Sequence, residues 1–421
     1  MSAWTFQLVS FGCRVNQAEG GALGEALAAE GLREADGRAP ADLVIVNTCA
    51  VTAEAARQSR QQIRRAARQG ARVIVTGCGA HAAAGDDPAA LPGVWFAAPD
   101  KAAVLDRIRA ARPRGPAGTR PPAPRSRGLL KVQDGCTAAC TYCLVRKVRS
   151  TLASAPPAEA ARALADLVAA GMREVVVCGI HLGLYGEDLR PRVSLADLLA
   201  RLLRTPGLGR LRLSSLEPME VTGDLAALLA AEPERLCPHL HLPLQSGDDG
   251  VLARMGRPYR SADYLATLER VRAALDRPAI TTDVLVGFPG ETDAAFENTL
   301  RVCREAGFAR MHVFPFSRRP GTEAAAMPGQ VPREAGRRRR GRAAELGEAL
   351  AAAFRAGLVG LRARVAIETV GADRSAEGTC ERFQRVRVRG PLPPGAGRRE
   401  IVPVRLVAVH QGALLGEPLG G

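Results

Sequence analysis

The stretch that decides the fold is GLLKVQDGCTAACTYC, at positions 128–143. Its first half is short and apolar with interspersed polar residues, which predicts a β-strand. It leads directly into Cys136, Cys140 and Cys143, a CxxxCxxC run that brings three sulfur atoms around one metal core. Three thiolates suit a four-iron cubane whose fourth iron stays open for chemistry. Zinc is the alternative, although structural zinc sites need a fourth ligand and favour paired CxxC spacing.

Five more apolar segments follow this strand, with helical stretches between them. They are REVVVCG (173–179), RLRLSS (210–215), PHLHLPL (238–244), AITTDVLVGF (279–288) and ARMHVFPF (309–316). Six βα units predict a partial (β/α)6 barrel over residues 128–357. The active site of such a barrel lies at the carboxyl ends of the strands, which is where the cysteine run falls.

A second group of three cysteines lies upstream, in residues 1–112. The segments WTFQLVSF (4–11), DLVIVN (42–47) and ARVIVTG (71–77) alternate with helical stretches, a pattern that predicts a parallel α/β domain. Cys13, Cys49 and Cys78 each come just after one of these strands. Loops at the carboxyl ends of parallel strands converge, so the three thiols are expected to lie close together. Scattered cysteines are otherwise more often small buried hydrophobes.

Two further segments complete the predicted organisation of this α/β chain. Residues 113–127 are rich in Pro, Gly and Arg and predict a linker. Residues 358–421 are rich in β-formers and predict a small all-β module. Four arginines there fall partly at strand spacing and are candidate phosphate ligands, with a solvated charged face as the alternative: Arg382, Arg385, Arg387 and Arg389.

The charge of the chain points to a polyanionic partner. The 421 residues carry a net charge of +15 with a pI of about 10.1, and nucleic acid is the first candidate for such a surplus. No basic amphipathic helix with bulky apolar anchors favours a membrane surface. The sequence shows neither a signal peptide nor an apolar run long enough to span a bilayer, so we expect a cytoplasmic protein with reduced thiols.

Several motifs together resemble the methylthiotransferase family of radical S-adenosylmethionine enzymes. They are FGCRVNQAE, NTCAVT, VTGCGA, DGCTAACTYC, LSSLEP, HLHLPLQSGDDGVLARMGRPY, DVLVGFPGET and FPFSRRPGT. The β-rich end resembles the TRAM nucleic-acid-binding module. Two stretches depart from the family pattern: LVRKVRSTLAS stands where an IP…RG…RSR-like segment is usual, and GCGAH stands for GCYAQ. Neither departure touches a candidate cluster ligand.

The resemblance implies a chemistry for both cysteine groups. Cys136, Cys140 and Cys143 would hold a [4Fe-4S] cluster that cleaves S-adenosylmethionine to a radical. Cys13, Cys49 and Cys78 would hold a second [4Fe-4S] cluster that carries the sulfur to be transferred. A low-potential electron donor of the flavodoxin or ferredoxin type is also implied. The candidate S-adenosylmethionine contacts, for which tight turns or polar lining are the alternatives, are Tyr142, Gly179, Glu217, Gln245, Gly287 and Pro289.

The family divides by substrate. One branch modifies isopentenyladenosine in tRNA, one modifies threonylcarbamoyladenosine in tRNA, and one modifies an aspartate of a ribosomal protein. GCRVNQ and LSSLEP are most similar to the threonylcarbamoyladenosine branch, which implies methylthiolation of C2 of that nucleoside at tRNA position 37. Two other classes stay open at this point: an RNA-binding protein with a structural metal, and a radical methylase that inserts no sulfur.

Overall fold

We analysed a computed structural model, which describes residues 4–36, 40–50, 53–80, 93–97, 101–111, 118, 125–372 and 375–419. The chain divides into two compact units. The first comprises residues 1–124, 135–137 and 143–151, and the second comprises residues 125–134, 138–142 and 152–421. Most of the predicted linker, 113–117 and 119–124, lies outside the described residues.

The first unit is built on a parallel five-stranded sheet with the strand order β2-β1-β3-β4-β5. The strands are β1 (Thr5–Ser10), β2 (Arg33–Glu34), β3 (Leu43–Thr48), β4 (Arg72–Gly77) and β5 (Val94–Phe96). The helices are α1 (Arg14–Ala29), α2 (Ala53–Arg68) and α3 (Lys101–Ala111). Every residue of β3 is buried, as expected for a central strand covered on both faces. The predicted parallel α/β fold is therefore confirmed; β2 and β5 were too short to be recognised.

The second unit begins with the predicted barrel strands. They are β6 (Arg127–Asp134), β8 (Glu174–Gly179), β9 (Arg210–Leu213), β10 (His239–His241), β11 (Ala279–Val286) and β12 (Arg310–Pro315). A short strand, β7 (Ala153–Ser154), pairs antiparallel with β6. The pairs β6–β8, β8–β9, β10–β11 and β11–β12 are parallel, and single parallel bridges connect the β9 segment to the β10 segment. All six predicted strands of the partial barrel are thus present.

Helices of this part of the chain alternate with the strands. They are α4 (Val145–Val148), whose residues belong to the first unit, α5 (Pro157–Ala169), α6 (Leu195–Leu202), α7 (Gly223–Ala231), α8 (Asp249–Arg254), α9 (Ser261–Ala274), α10 (Asp293–Ala306), α11 (Glu323–Ala326) and α12 (Arg333–Ala356). Leucines on one face of α6 enter the main hydrophobic core, and Ser194 starts that helix with a capping box. None of the helices in the described ranges is long and apolar enough to cross a membrane.

The C-terminal segment is a closed five-stranded barrel with its own core. Its strands are β13 (Arg362–Val370), β14 (Ala376–Cys380), β15 (Arg385–Val388), β16 (Ile401–His410) and β17 (Ala413–Pro418). They close in the order β13-β14-β15-β17-β16. Closure leaves no free sheet edge. The all-β prediction is confirmed; AEGTC in β14 and ALLGEP in β17 form strands although they lack β-branched alternation.

A buried ionic cluster joins this small barrel to the strands that precede it. The Glu174 carboxylate accepts hydrogen bonds from Arg210 Nε at 2.7 Å and from Arg212 Nε at 2.8 Å, and all three side chains are fully buried. The guanidinium groups also donate to backbone carbonyl oxygens of the small barrel, at Thr379, Cys380 and Glu381. The C-terminal barrel therefore satisfies charges inside its neighbour and belongs to the same compact unit.

The cluster gives a testable stability prediction. Burial alone would raise the pKa of Glu174, but Arg212 and Arg210 outweigh it and lower the pKa to about 2. We expect Glu174→Gln to cost about 3–5 kcal/mol in denaturant unfolding, because two buried cations lose their counter-charge. The Glu174 contribution is full above the ordinary pKa of 4.5 and falls away as pH drops toward about 2.

Glu377→Gln is the matched control. Glu377 pairs with Arg385 and Arg387 at the surface of the small barrel, where an ion pair contributes about 0–1 kcal/mol. An equal loss of stability in Glu174→Gln and Glu377→Gln would show that the buried ion pairs contribute no more to stability than the surface ion pairs.

Candidate cluster sites

The structure brings the first three cysteines to one edge of the parallel sheet. Cys13 follows β1 and precedes α1, Cys49 follows β3, and Cys78 follows β4, and these three strands are neighbours. Cys49 and Cys78 are buried, whereas Cys13 is exposed. Desolvation nonetheless raises the pKa of the Cys13 thiol, and the nearby Cys49 and Cys78 thiols raise it further. The three sulfur atoms are therefore close enough to interact electrostatically.

Glycine and asparagine residues shape the loops that carry these thiols. Gly12 has φ of +92°, and a Cβ atom there would lie 2.6 Å from both Cβ and Sγ of Cys49. Asn47 Nδ2 donates to the Asn16 carbonyl at 2.6 Å, and Asn16 Nδ2 donates to the Phe11 carbonyl at 2.6 Å. These buried amides tie the first loop to the end of β3, which fixes where Cys13 and Cys49 stand.

Basic residues surround the same thiols. Arg149 Nε donates to Cys78 Sγ at 3.1 Å, and its guanidinium forms two 2.8 Å hydrogen bonds with Glu19. Lys101 Nζ lies 3.6 Å from Glu19 and donates to Asn47 Oδ1 at 3.1 Å, and burial lowers its pKa. Positive charge favours the thiolate form of cysteine, which is the form that binds metal.

The thiol set, the space kept by Gly12 and the nearby cations all suit an anionic iron–sulfur cluster. Across the described ranges, no group of three or more His, Cys, Asp or Glu side chains is already placed to hold a metal ion. That finding concerns ligands converging on one ion. The cysteines of a four-iron cluster each bind a different iron, so their sulfur atoms need not converge on one point.

The second cysteine group lies on the loop after β6, at the carboxyl end of the first barrel strand, as predicted. Cys136, Cys140 and Cys143 are all half-buried. The Cys136 N–H donates to the Arg149 carbonyl at 2.9 Å. Arg257 Nη1 lies 3.3 Å from Cys140 Sγ. This loop therefore has both a backbone anchor and a guanidinium on one of its thiols.

Tyr142 and Glu217 lie beside this loop within the second unit. Arg257 pairs with the Glu217 carboxylate while it contacts Cys140. Burial raises the pKa of Glu217, although Arg257 opposes the rise. The Tyr142 ring meets Phe288 edge-on with the centroids 6.3 Å apart, and burial raises the Tyr142 pKa well above its usual range. Both residues lie close to the Cys140 part of the loop, and their cofactor roles stay predictions.

The four other predicted cofactor residues are held mainly by backbone geometry. A Cβ atom on Gly179 would lie 2.7 Å from Gln133 Oε1. Gln245 has φ of +60°, and its N–H and carbonyl bond to β11. Gly287 has φ of +75° and its N–H donates to Glu291 Oε2 at 2.6 Å, while the Pro289 carbonyl accepts from Arg254. Close packing and turn geometry explain these glycines without a cofactor, and the cofactor-binding roles of all four residues stay predictions.

The four candidate phosphate-binding arginines of the small barrel differ in their surroundings. Arg382 is 12% exposed, and its guanidinium donates to the carbonyls of Asp276 and Arg277, each at 3.0 Å. Arg385 and Arg387 flank the Glu377 carboxylate, and Arg389 is exposed at the end of β15. The contacts of Arg382 hold the small barrel to residues 276 and 277, and phosphate binding by the four arginines stays a prediction.

Two arginines next to the thiols were not identified from the sequence as site residues. Arg257 lies in the quoted stretch MGRPY, and Arg149 lies in LVRKVRS, the segment that departs from the family pattern. An arginine near a cysteine motif is a usable signal, but in a chain with 58 basic residues it does not stand out. His241 and His312, which flank Asp283 across β10, β11 and β12, were likewise recognised as a cluster only in the structure.

Comparison with known proteins agrees with this architecture. The radical SAM superfamily model matches residues 130–303, and a model described as uncharacterized protein family UPF0004 matches residues 5–91. A Chlamydia pneumoniae protein named threonylcarbamoyladenosine tRNA methylthiotransferase MtaB is 36% identical over 98% of both chains. A Sphingopyxis alaskensis protein named tRNA-2-methylthio-N(6)-dimethylallyladenosine synthase is 33% identical over 99% of this chain and 98% of its own.

Solved structures agree at the level of the fold. The radical S-adenosylmethionine methyltransferase TsrM from Kitasatospora setae, solved with cobalamin and a [4Fe-4S] cluster bound, matches with a TM-score of 0.57 at 15% identity and covers 77% of each chain. The radical SAM fold that the family resemblance implied is therefore confirmed.

The Gly12 contact provides a direct test of the first cysteine site. In a chain whose Cys136, Cys140 and Cys143 are replaced by Ala, we expect Gly12→Ala to reduce reconstituted iron and sulfide by about 10-fold or more, since cluster neighbours carry that much affinity. The added methyl displaces Cys49 and strains a positive φ.

Gly21→Ala is the control, because nothing lies within 4 Å of the added methyl and α1 favours Ala over Gly. Unchanged iron content in the Gly12 variant would contradict a cluster at this edge of the sheet.

Proposed function

This chain belongs to the methylthiotransferase family of radical S-adenosylmethionine enzymes, and we propose that it methylthiolates C2 of N6-threonylcarbamoyladenosine at position 37 of tRNA. The observation that carries the sulfur-transfer part is the convergence of Cys13, Cys49 and Cys78 at one sheet edge. The substrate rests on the GCRVNQ stretch and on the Chlamydia relative, which has the same extent as this chain. Such a substrate implies a cytoplasmic enzyme.

Each cysteine triad would hold one [4Fe-4S] cluster. Cys136, Cys140 and Cys143 would hold the cluster that, with bound S-adenosylmethionine, would supply radical chemistry, and Cys13, Cys49 and Cys78 would hold the cluster that would supply sulfur. Arg257, fixed by Glu217, orients Cys140 through its contact with that thiol. The half-buried Tyr142 ring packs edge-on against the buried Phe288 ring, which holds this side of the loop in place. Electrons would come from a flavodoxin- or ferredoxin-type donor.

Isopentenyladenosine in tRNA is the second candidate substrate. The Sphingopyxis relative and an Acidothermus cellulolyticus relative, both named dimethylallyladenosine synthases, are 33% and 37% identical to this chain. Mass spectrometry of tRNA nucleosides from a deletion strain distinguishes the two. We expect the methylthio form of threonylcarbamoyladenosine to disappear and that of isopentenyladenosine to persist; the reverse pattern would assign the other substrate.

The two triads are expected to separate in their effects. We predict that Cys49→Ala retains uncoupled cleavage of S-adenosylmethionine but lowers methylthiolated product by at least about 100-fold, because losing a ligand costs more than losing an outer neighbour of a metal site. Cleavage assays and nucleoside mass spectrometry measure the two activities. Buried Cys303→Ala, outside both triads, is the control. Product formation by the Cys49 variant would remove the sulfur-carrying role from this triad.

A tRNA substrate also accounts for a basic surface on the first unit, which we call the α2 face. Ser59, Ile63 and Ala66 turn inward and are buried. The opposite side carries five arginines: Arg57, Arg60, Arg64, Arg65 and Arg68. Glu54 pairs with Arg57, and the other four have no acidic partner among the described residues. Positive charge without local neutralisation favours phosphate binding. The α2 face would contact the phosphates of tRNA, and Arg385, Arg387 and Arg389 of the other unit are separate candidates for such contacts.

Salt dependence tests this surface. We predict that replacing Arg64, Arg65 and Arg68 with Gln weakens binding of a tRNA transcript and reduces the log–log salt slope by about 2–3 units, one for each lost phosphate contact. Glutamine keeps the helix propensity. A second triple variant removes the same charge from exposed arginines of the other unit: Arg162, Arg201 and Arg204. Equal salt slopes in the two triple variants would show that the α2 face contributes only general positive charge and no specific phosphate contacts.

A further inference from the structure

Arg149 contacts both cysteine triads. Its side chain contacts the sulfur-carrying triad, which contains Cys78, and its backbone contacts the radical triad, which contains Cys136. Arg149 Nε donates to Cys78 Sγ at 3.1 Å. The Arg149 carbonyl accepts from the Cys136 N–H at 2.9 Å. Arg149 therefore physically joins one cysteine of each triad, although Cys78 and Cys136 are far apart in sequence.

The side chain of Arg149 is too buried to be a general surface charge. It is 6% exposed, and its guanidinium forms two 2.8 Å bonds with Glu19, whose side chain is 10% exposed. A buried arginine is stable only when its donors are paired. Glu19 occupies Nη1 and Nη2, which orients Nε toward Cys78. Lys101 lies 3.6 Å from Glu19 and completes the pairing.

The hydrogen bond from Arg149 Nε to Cys78 Sγ is stronger when the sulfur binds a metal than when it is a neutral thiol. A neutral thiol is a weak hydrogen-bond acceptor, whereas a charged acceptor makes a bond about twice as strong. A metal-bound cysteine is a thiolate, and hydrogen bonds to its sulfur are among the factors that set the reduction potential of an iron–sulfur cluster. A guanidinium donor fixed by a bidentate carboxylate is suited to that role.

We propose that Arg149 is a positioning residue that holds Cys78 in place as a ligand of the sulfur-carrying cluster and raises the reduction potential of that cluster. This inference rests on the proposed two-cluster function. Arg149 lies on the segment that directly follows the radical triad, so the same short segment sets the first cysteine of one triad by its backbone and the last cysteine of the other by its side chain. The Glu19 carboxylate orients the Arg149 guanidinium, and the nearby positive charge of Lys101 stabilises that carboxylate.

The test uses chains that retain one triad at a time. In the background with Cys136, Cys140 and Cys143 replaced by Ala, we compare Arg149→Met, Arg149→Lys and the parent by redox titration followed by electron paramagnetic resonance. We expect Arg149→Met to shift the midpoint potential to more negative values and to weaken iron retention against a chelator by about 10-fold or more. Arg149→Lys restores the charge without the planar fork and should recover only part of the shift.

Lys147→Met is the matched control. It removes one exposed positive charge from α4, next to Arg149, and should leave the potential unchanged. In the opposite background, with Cys13, Cys49 and Cys78 replaced by Ala, the radical-cluster spectrum of Arg149→Met reports whether the carbonyl bond to Cys136 is kept, and we expect that spectrum to persist.

The outcomes separate the inference from the function on which it rests. A parent chain that binds no iron at the first triad would overturn the proposed two-cluster function. Iron binding with no change of potential in Arg149→Met, or an equal change in Lys147→Met, would overturn the role of Arg149 alone. Loss of both clusters in Arg149→Met and also in Arg149→Lys would show that Arg149 stabilises the fold and does not act on the cluster itself.

Discussion

Both units depend on one geometric constraint: the strands of a parallel sheet all end at the same edge. In the first unit this places the residues after β1, β3 and β4 side by side, which is how three cysteines spread over the sequence become neighbours. In the second unit β6, β8 and β9 run parallel in one sheet and β10, β11 and β12 run parallel in another, so the strands of each sheet end at one edge. Chemistry can then be assembled from short loops while the strands remain an apolar support.

Charge is the second requirement, because thiolates and clusters are anionic and their surroundings are partly buried. In each triad one arginine places its positive guanidinium beside one sulfur atom. Arg149 contacts Cys78, and Arg257 contacts Cys140. Each guanidinium is in turn held by a carboxylate, Glu19 or Glu217. A carboxylate that fixes an arginine reduces the net charge of the site, but it makes the direction of the hydrogen bond definite. Geometry rather than net charge is therefore what these pairs contribute.

The sequence predicted the parts of this molecule that follow from local patterns. The run DLVIVN is apolar throughout and became a central strand, and the cysteine run after β6 lies where barrel chemistry is expected. Short strands such as β14 could not be predicted, because pairing with neighbours distant in sequence determines them. Contacts such as that of Arg149 with Cys78 could not be predicted for the same reason. Nothing in LVRKVRS distinguishes the arginine that contacts Cys78 from the other basic residues of that segment. The role of Arg382 in holding the small barrel to residues 276 and 277 also depends on contacts distant in sequence.

The way in which Arg210 and Arg212 contact the small barrel has a consequence for how this enzyme can change over time. Both guanidinium groups bond to carbonyl oxygens of the main chain at 379–381, which every amino acid possesses. Side chains at those positions are free to drift, since the recognised atoms do not depend on them. The path of the backbone is not free, because an inserted or deleted residue would move the carbonyls away from two buried cations. Relatives should therefore vary in sequence here while keeping the length of the β14–β15 turn, and exchanging the small barrel between enzymes should succeed only when that length is preserved.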